Sequence, residues 1–276
     1  MSNEAISISV PATTANIGPG YDCLGIAFRI YNRVTVRRAE AAEGHPMVAA
    51  AANAFFEAAG VGAFPFDWKV EGDVPLARGL GSSVTVRLGI LHGLNALCGR
   101  PLEREALFVL GAKLEGHPDN AAPAAFGGFT VADAGGCVRF EVLPSLKFVL
   151  LIPDFEISTP RAREVLPAAV PRVEAARSNA NACRIVAAFA KQDYELLRNS
   201  FGDALHQPYR KALIPFLDDV IRAGEEAGAL GGFLSGSGST IACVTLQATE
   251  EVARAMLAQY PGARTVITAA DNEGAR

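Results

Sequence analysis

Residues 79–90, GLGSSVTVRLGI, constrain this chain more than any other stretch. Two glycines lead into two serines, and apolar residues then recur at 84, 88, 91 and 94, close to the spacing of one helix face. The pattern predicts a helix that opens with almost no side chain. Glycine bends freely and serine caps well, so the stretch can be a turn followed by an N-cap. The same residues can seat an anion, because a helix start offers unpaired N–H groups and a partial positive charge that glycines leave open to a phosphate.

The elements around that helix do not keep a regular βαβα rhythm. EAISISV at 4–10 and RVTVRR at 33–38 alternate as strands do, and PATTANIGPGYDCLG at 11–25 lies between them, too rich in Gly, Pro and Asn to be a regular element. A helix is predicted near 47–59, a strand at 66–70, a helix over 103–115, and three strands in GGFTVAD, CVRFEV and LKFVLLI. After about residue 145 the pattern becomes a long helical stretch over about 172–226, two strands around SGSGSTIACVTL, a helix, and a last strand near 264–268. This mixture predicts an α+β chain, with one domain over 1–145 and a second over 146–276. No low-complexity linker separates them, so direct packing with a ligand cleft between the domains is expected.

Composition narrows the partners. A formal net charge of −4 supplies no basic field for nucleic acid, which favours a small molecule. No apolar run reaches the roughly 18 residues that would span a bilayer, and MSNEAISIS lacks the basic-then-apolar pattern of a secretion signal. The expected location is the cytoplasm. The cysteines at 23, 98, 137, 183 and 243 form no CxxC pair and are expected to be reduced, and the histidines at 45, 92, 117 and 206 are too widely spaced for a zinc pair. The GxxxxGK[ST] loop is absent, GLGSSV lacks the third small residue of a dinucleotide fingerprint, and no GxSxG surrounds Ser82, Ser83, Ser235 or Ser237.

Phosphoryl transfer asks for a backbone cradle, a metal and a group that orients the attacking hydroxyl. Gly79, Gly81, Ser82 and Ser83 can form the cradle. The Ser83 hydroxyl and the Glu115 carboxylate can hold a magnesium ion, and Asp119 and Asn120 lie just beyond, where an alcohol could be touched.

Segments 11–25, 79–85, 115–120 and 231–240 together, in this order, resemble the GHMP small-molecule kinases, from residue 8 to about residue 245. PATTANIGPGYDCLG with EGHPDNAAPAAFGG is similar to the branch that phosphorylates L-homoserine on the way to threonine. The resemblance implies a two-domain fold, with an N-terminal ATP-binding domain like domain 2 of ribosomal protein S5, containing a left-handed βαβ crossover, and a ferredoxin-like C-terminal domain. It implies ATP phosphates on Gly79, Leu80, Gly81, Ser82 and Ser83, Mg²⁺ at Ser83 and Glu115, and a homodimer as the default assembly. For L-homoserine it implies Asp22 at the ammonium, Thr159, Arg163 and Arg210 at the carboxylate, and Asn16 and Asn120 near the hydroxyl. Guanidinium forks suit a carboxylate. The catalytic position falls to Asp119 or Asn120. Relatives such as mevalonate kinase carry an aspartate in this region and a lysine in the first loop, and TANIGPGYD has no lysine.

The chain departs from the family pattern at three places. Val84 stands where alanine is usual and adds a branched side chain behind the phosphate loop, an overpacking worth about 1–3 kcal/mol or a shift of the loop. Ser239 stands where proline is frequent, and residues 39–48 are shorter than in many relatives, which leaves the adenine contacts unassigned. Two rival readings remain: a kinase for another small alcohol, and a catalytically silent nucleotide-binding member of the fold. Retention of Ser83 and Glu115 argues against the second.

Overall fold

The structure, a computed structural model, describes residues 5–41 and 44–276. The first residue of the strand predicted at 4–10, and residues 42–43 of the short 39–48 segment, lie outside the described residues.

Strands β1 (Ala5–Ala15) and β2 (Leu24–Arg38) pair antiparallel along their length, from Ala5 opposite Arg37 to Ala15 opposite Gly25. The PATTA half of the segment expected to be loop is therefore strand. The register shifts between Pro11 and Ala12, and such an irregularity lets a residue without an N–H sit in a ladder. The other edge of β2 carries two partners: β3 (Phe66–Gly72) along residues 32–38, and β4 (Phe129–Asp133) along residues 24–26, with β5 (Gly136–Phe140) beyond β4. Both partners run antiparallel to β2 and hence parallel to each other. The crossover between them holds α2 (Ser82–Leu97), α3 (Arg104–Glu115) and α4 (Ala121–Phe126). The last of these was not expected, because six residues of AAPAAF are too few to show a period. Helix α1 (Pro46–Ala59) and α3 flank α2, which packs on β1 and β2. Leu88, Leu91 and Leu94 of α2 meet Val10, Val34 and Val36 of the sheet in one core.

The second domain is an antiparallel sheet of β6 (Lys147–Pro153), β7 (Gly231–Leu234), β8 (Ile241–Thr245) and β9 (Ala263–Ala269), in the order β7-β8-β6-β9. Helices lie between β6 and β7, and α9 (Thr249–Gln259) lies between β8 and β9, which gives the βαββαβ course of a ferredoxin-like domain. The helical stretch expected over 172–226 is broken. Short α5 (Thr159–Glu164) precedes α6 (Arg172–Lys191), which stops at Gln192; that residue takes φ 55° and returns its N–H to Ala188 and Phe189. Residues 192–206 separate α6 from α7 (Gln207–Arg210), which opens with Pro208, and α8 (Leu217–Glu226) follows. Proline suits the first turn of a helix, where its missing N–H costs nothing, so it marks a new start.

A common core fastens the domains. Ile17, Leu24 and Phe28 pack with Phe148, Leu150 and Phe233, and the Phe28 and Phe148 rings lie 5.0 Å apart. Burying each of these side chains is worth about 1.5–3 kcal/mol. Residues 271–276, which the sequence groups with the second domain, cross back onto the first. Ser9 and Arg276 exchange N–H···O bonds of 2.7 and 3.0 Å, and the Asp271 carboxylate accepts from the Tyr31 hydroxyl at 2.9 Å. Among the described residues no helix is long and apolar enough to cross a membrane.

On α2, His92 has a buried Nε2 that meets no hydrogen-bond partner among the described residues. Burial, helped by the charge of Arg104, pulls its pKa down to about 4. The unfolded chain then binds more protons than the folded one between about pH 6.5 and 4, so stability is lost as pH falls through that window. Replacing His92 by leucine is expected to remove up to about 1.4 kcal/mol per pH unit of that slope. Denaturant unfolding of both proteins at steps from pH 7 to pH 4 checks it, and equal slopes would refute the assignment.

Candidate functional site

A cleft of about 350 Å³ opens between the domains, with the start of α2 at one end and α5 and α7 at the other. Of the site residues that the resemblance implies, all but Leu80 line it. The Leu80 side chain is fully buried in the common core, and its carbonyl accepts the Thr13 N–H at 3.1 Å.

The start of α2 is bare, as its composition predicts. Gly81 is the N-cap and no side chain caps the helix, so the first N–H groups of Ser82 and its neighbours lack intrahelical partners. The glycines also let the rest of the protein approach the loop closely. Gly79 and Gly81 have φ of 72° and 68°, and a Cβ would stand 2.1 Å from the Ser235 carbonyl oxygen at Gly79 and 2.1 Å from Thr13 Oγ1 at Gly81. The protein itself fills that space. The Ser235 hydroxyl donates to the Gly79 carbonyl at 2.6 Å, the Thr240 N–H donates to the Arg78 carbonyl at 3.2 Å, and the Arg78 guanidinium donates to Pro153 and Asp154 carbonyls at 2.9 and 2.7 Å. Val84 is wholly buried in the core beneath the sheet, and the helix still begins at Ser82. Ser239 uses its hydroxyl to bond the Phe155 carbonyl at 2.7 Å.

In the first turn of the helix, the Ser83 hydroxyl donates to Glu115 Oε2 at 2.9 Å, and Arg87, one turn on, pairs with Oε1 of the same carboxylate. Among the described residues no group of three or more His, Cys, Asp or Glu side chains gathers as a metal cage. The Ser83 and Glu115 oxygens are nevertheless hard donors that converge at the cleft, which suits a cation that keeps most of its shell for water and phosphate.

Acid, base and amide groups crowd the middle of the cleft. Asp119 is 1% exposed, and its Oδ1 lies 2.6 Å from His117 Nδ1 and accepts the Asn120 N–H at 2.9 Å. That bond to Asp119 raises the His117 pKa against the opposing effect of burial. Asn120 accepts the Thr13 hydroxyl proton on Oδ1 at 2.7 Å, which leaves its amide N–H groups for a ligand.

At the far end, Asn16 and Asp22 both take left-handed backbone angles, with φ of 57° and 55°. Asn and Asp are, after glycine, the residues that take this region most readily. Asn16 Oδ1 accepts the Asp22 N–H at 2.8 Å. Asp22 and Arg163 make a two-pronged ion pair at 2.8 and 3.2 Å, so the two groups expected to meet opposite ends of a substrate meet each other. Arg163 also donates to the Tyr21 hydroxyl at 2.8 Å, and the Tyr21 ring has the Arg163 and Arg210 guanidinium carbons 5.6 and 5.4 Å from its centre. Arg210 is 1% exposed, the opposite of a solvated surface arginine. Its Nε donates to the Ala162 carbonyl at 3.1 Å and its Nη1 to the Gly236 carbonyl at 2.9 Å. Thr159 opens α5, whose N-cap is Ser158.

Sequence reasoning missed Thr13, Tyr21, Arg87, His117 and His206 as members of this network. Thr13, Tyr21 and His117 each sit inside a segment already marked as unusual, and their neighbours were the signal available. Nothing in the sequence ties Arg87 to Glu115 or His206 to the first loop.

Family models for the GHMP kinases match the chain twice, the N-terminal domain over residues 46–128 and the C-terminal domain over residues 185–262. A homoserine kinase from Clostridium botulinum is 38% identical over 262 residues, covering 87% of this chain and 86% of the relative. One from Moorella thermoacetica is 38% identical and covers 92% of each. The crystal structure of homoserine kinase from Cytophaga hutchinsonii superposes with a TM-score of 0.92 at 26% identity, over 100% of this chain and 98% of that one.

The contact at Gly79 gives a test of the loop. Gly79→Ala is expected to lower the unfolding free energy by more than the roughly 1 kcal/mol that a compatible Gly→Ala exchange gains. Gly60→Ala, at φ 61° with nothing within 4 Å of the added carbon, is expected to lose much less. Equal losses in urea titrations would show that the angle, and not the neighbouring carbonyl, requires glycine.

Proposed function

The chain belongs to the GHMP kinases, and from that membership we propose that it transfers the γ-phosphoryl group of ATP to the side-chain hydroxyl of L-homoserine, giving O-phospho-L-homoserine and ADP. One observation carries the reading: a bare helix start and a paired carboxylate and arginine face each other across a single cleft. The first end suits phosphates and the second suits a zwitterion.

The phosphates of ATP meet the free N–H groups of Ser82 and Ser83, where the helix dipole adds favourable charge. Ser83 Oγ and Glu115 Oε2 would hold Mg²⁺ there, and the ion would neutralise charge on the phosphate oxygens. Arg87 keeps the Glu115 carboxylate in place from its other oxygen. The amino acid exchanges the internal Asp22–Arg163 pair for its own two charges, with its ammonium on Asp22 and its carboxylate on Arg163 and Arg210, beside Thr159. This exchange keeps both protein charges paired whether the cleft is empty or filled, and so reduces the cost of desolvating them.

With the zwitterion fixed, the hydroxyl end of the substrate faces Asn16 and Asn120. An amide cannot take the proton, so Asn120 serves by donating to oxygen. Asp119 is the carboxylate of that segment, with Oδ1 committed to His117 and the Asn120 N–H. A loose transition state asks for little proton removal early, so positioning and charge stabilisation supply most of the rate. The product is a precursor for threonine, and the cytoplasm, where ATP is supplied, is the location that goes with this reaction.

An ADP-release assay with ATP, Mg²⁺ and a panel of L-homoserine, L-threonine, L-serine and mevalonate tests the reading. Turnover is expected with L-homoserine alone. Removing a charge-assisted contact costs about 1.5–3 kcal/mol, so Arg163→Ala and Arg210→Ala are each expected to raise the homoserine KM at least about tenfold while the ATP KM stays close to that of the parent. Turnover of another alcohol would keep the chemistry and overturn the substrate. ATP binding without turnover of any would favour the silent reading.

A further inference from the structure

His206 belongs to none of the roles above, yet it is wholly buried at the junction of three of them. It is the N-cap of α7, four residues before Arg210. Its Nε2 lies 2.7 Å from the Gly18 carbonyl oxygen, in the loop between Asn16 and Asp22, and its Nδ1 lies 3.3 Å from Arg210 Nη1. A guanidinium can only donate and a carbonyl can only accept, so the two contacts fix the imidazole as neutral, with the proton on Nε2. We propose that His206, as this neutral tautomer, is a positioning residue that aims the Arg210 fork at the substrate carboxylate. The inference rests on the homoserine reading and deepens it.

The geometry shows why Arg210 needs such a partner. The carbonyls of Ala162 and Gly236 hold Nε and Nη1, and the acceptor on His206 takes a further Nη1 proton. Nη2 has no protein partner among the described residues, and it is the nitrogen left for a ligand in the cleft that Arg210 lines. Without the Nδ1 lone pair, a buried guanidinium nitrogen loses an acceptor, and the fork is free to rotate toward a new one. The groups facing His206 are Asp203, with Oδ2 at 3.5 Å from Nε2, Arg210, and the Tyr21 ring at 5.6 Å. Asp203 is already engaged, its Oδ2 accepting the backbone N–H groups of His206 and Gln207 at 3.0 and 2.7 Å. A proton on Nδ1 would set a second cation against Arg210, and burial moves the His206 pKa down, away from that state. The histidine thus stays an acceptor for the arginine through the neutral range.

Asparagine and glutamine separate this role from simple filling of space. Asparagine can place an acceptor where Nδ1 stands, whereas glutamine can place a donor where Nε2 stands. In the full-length protein, His206→Ala is expected to raise the L-homoserine KM about tenfold and leave the ATP KM within about threefold. His206→Asn is expected to recover most of the homoserine KM, and His206→Gln is not. With 3-aminopropan-1-ol, which lacks the carboxylate, the parent and His206→Ala are expected to have matching KM values. ¹⁵N spectra of the free protein at pH 7, assigned through the variants, should show His206 as the neutral Nε2–H tautomer. An unchanged homoserine KM in a folded His206→Ala, equal recovery by glutamine, equal loss with the carboxylate-free alcohol, or a charged or Nδ1–H imidazole would each overturn the proposal. A parent protein that turns over no L-homoserine would overturn the functional reading and this inference together, and the parent assay alone identifies that case.

Discussion

The end of the cleft at the start of α2 depends on how closely residues 78–81 lie against residues 235–240. The Gly79 backbone comes so near the Ser235 carbonyl that a single added carbon would be 2.1 Å from it, and hydrogen bonds from Ser235 and Thr240 close the seam. A helix start that is to bind phosphate must leave its N–H groups uncapped, and an uncapped start on a mobile loop would pay an ordering cost at every binding event. Here the second domain supplies the order. The loop is held from behind by carbonyl and hydroxyl groups, so its front can stay bare.

The end of the cleft at α5 and α7 has the opposite character, because it holds charges among the protein's own groups. Arg210 is buried among carbonyls and a neutral histidine, none of which competes with a carboxylate as an ion, and Arg163 is half-exposed and paired with Asp22. The two arginines therefore differ in kind. One is buried and held by backbone carbonyls, and the other is half-exposed and paired with a carboxylate that, in the proposed function, the substrate ammonium would take over. Tyr21 lies beside both guanidinium groups.

Most of the strands and the helix at 82–97 were legible because each rests on periodicity within a few residues. The positions of Gly79, Gly81, Ser83, Glu115, Asp119 and Asn120 in one cleft were legible from family resemblance, though not from spacing, since α2 and α3 lie between the two groups. What the sequence hid was long-range. PATTA looks like loop until β2 pairs with it, and the break after Gln192 has no composition signal because glutamine is an ordinary helix residue held left-handed by its surroundings. The protein neighbours of the glycines were hidden for the same reason. Glycine permits close approach by anything, and only the fold says that the Ser235 carbonyl and the Thr13 hydroxyl do the approaching.

Val84 illustrates how a local departure is absorbed. A branched side chain after the second serine has two directions in which to grow, toward the phosphate loop or toward the sheet. Val84 is wholly buried in the cluster that contains Val10, Val34 and Leu88. The added volume is therefore taken up by the sheet-facing core, where a methyl group adds buried area, and the helix start keeps its position beside Thr13 and Asn120. A substitution that looks like a threat to the nucleotide from the order of residues alone becomes, once the helix is placed on the sheet, part of what anchors the helix beneath it.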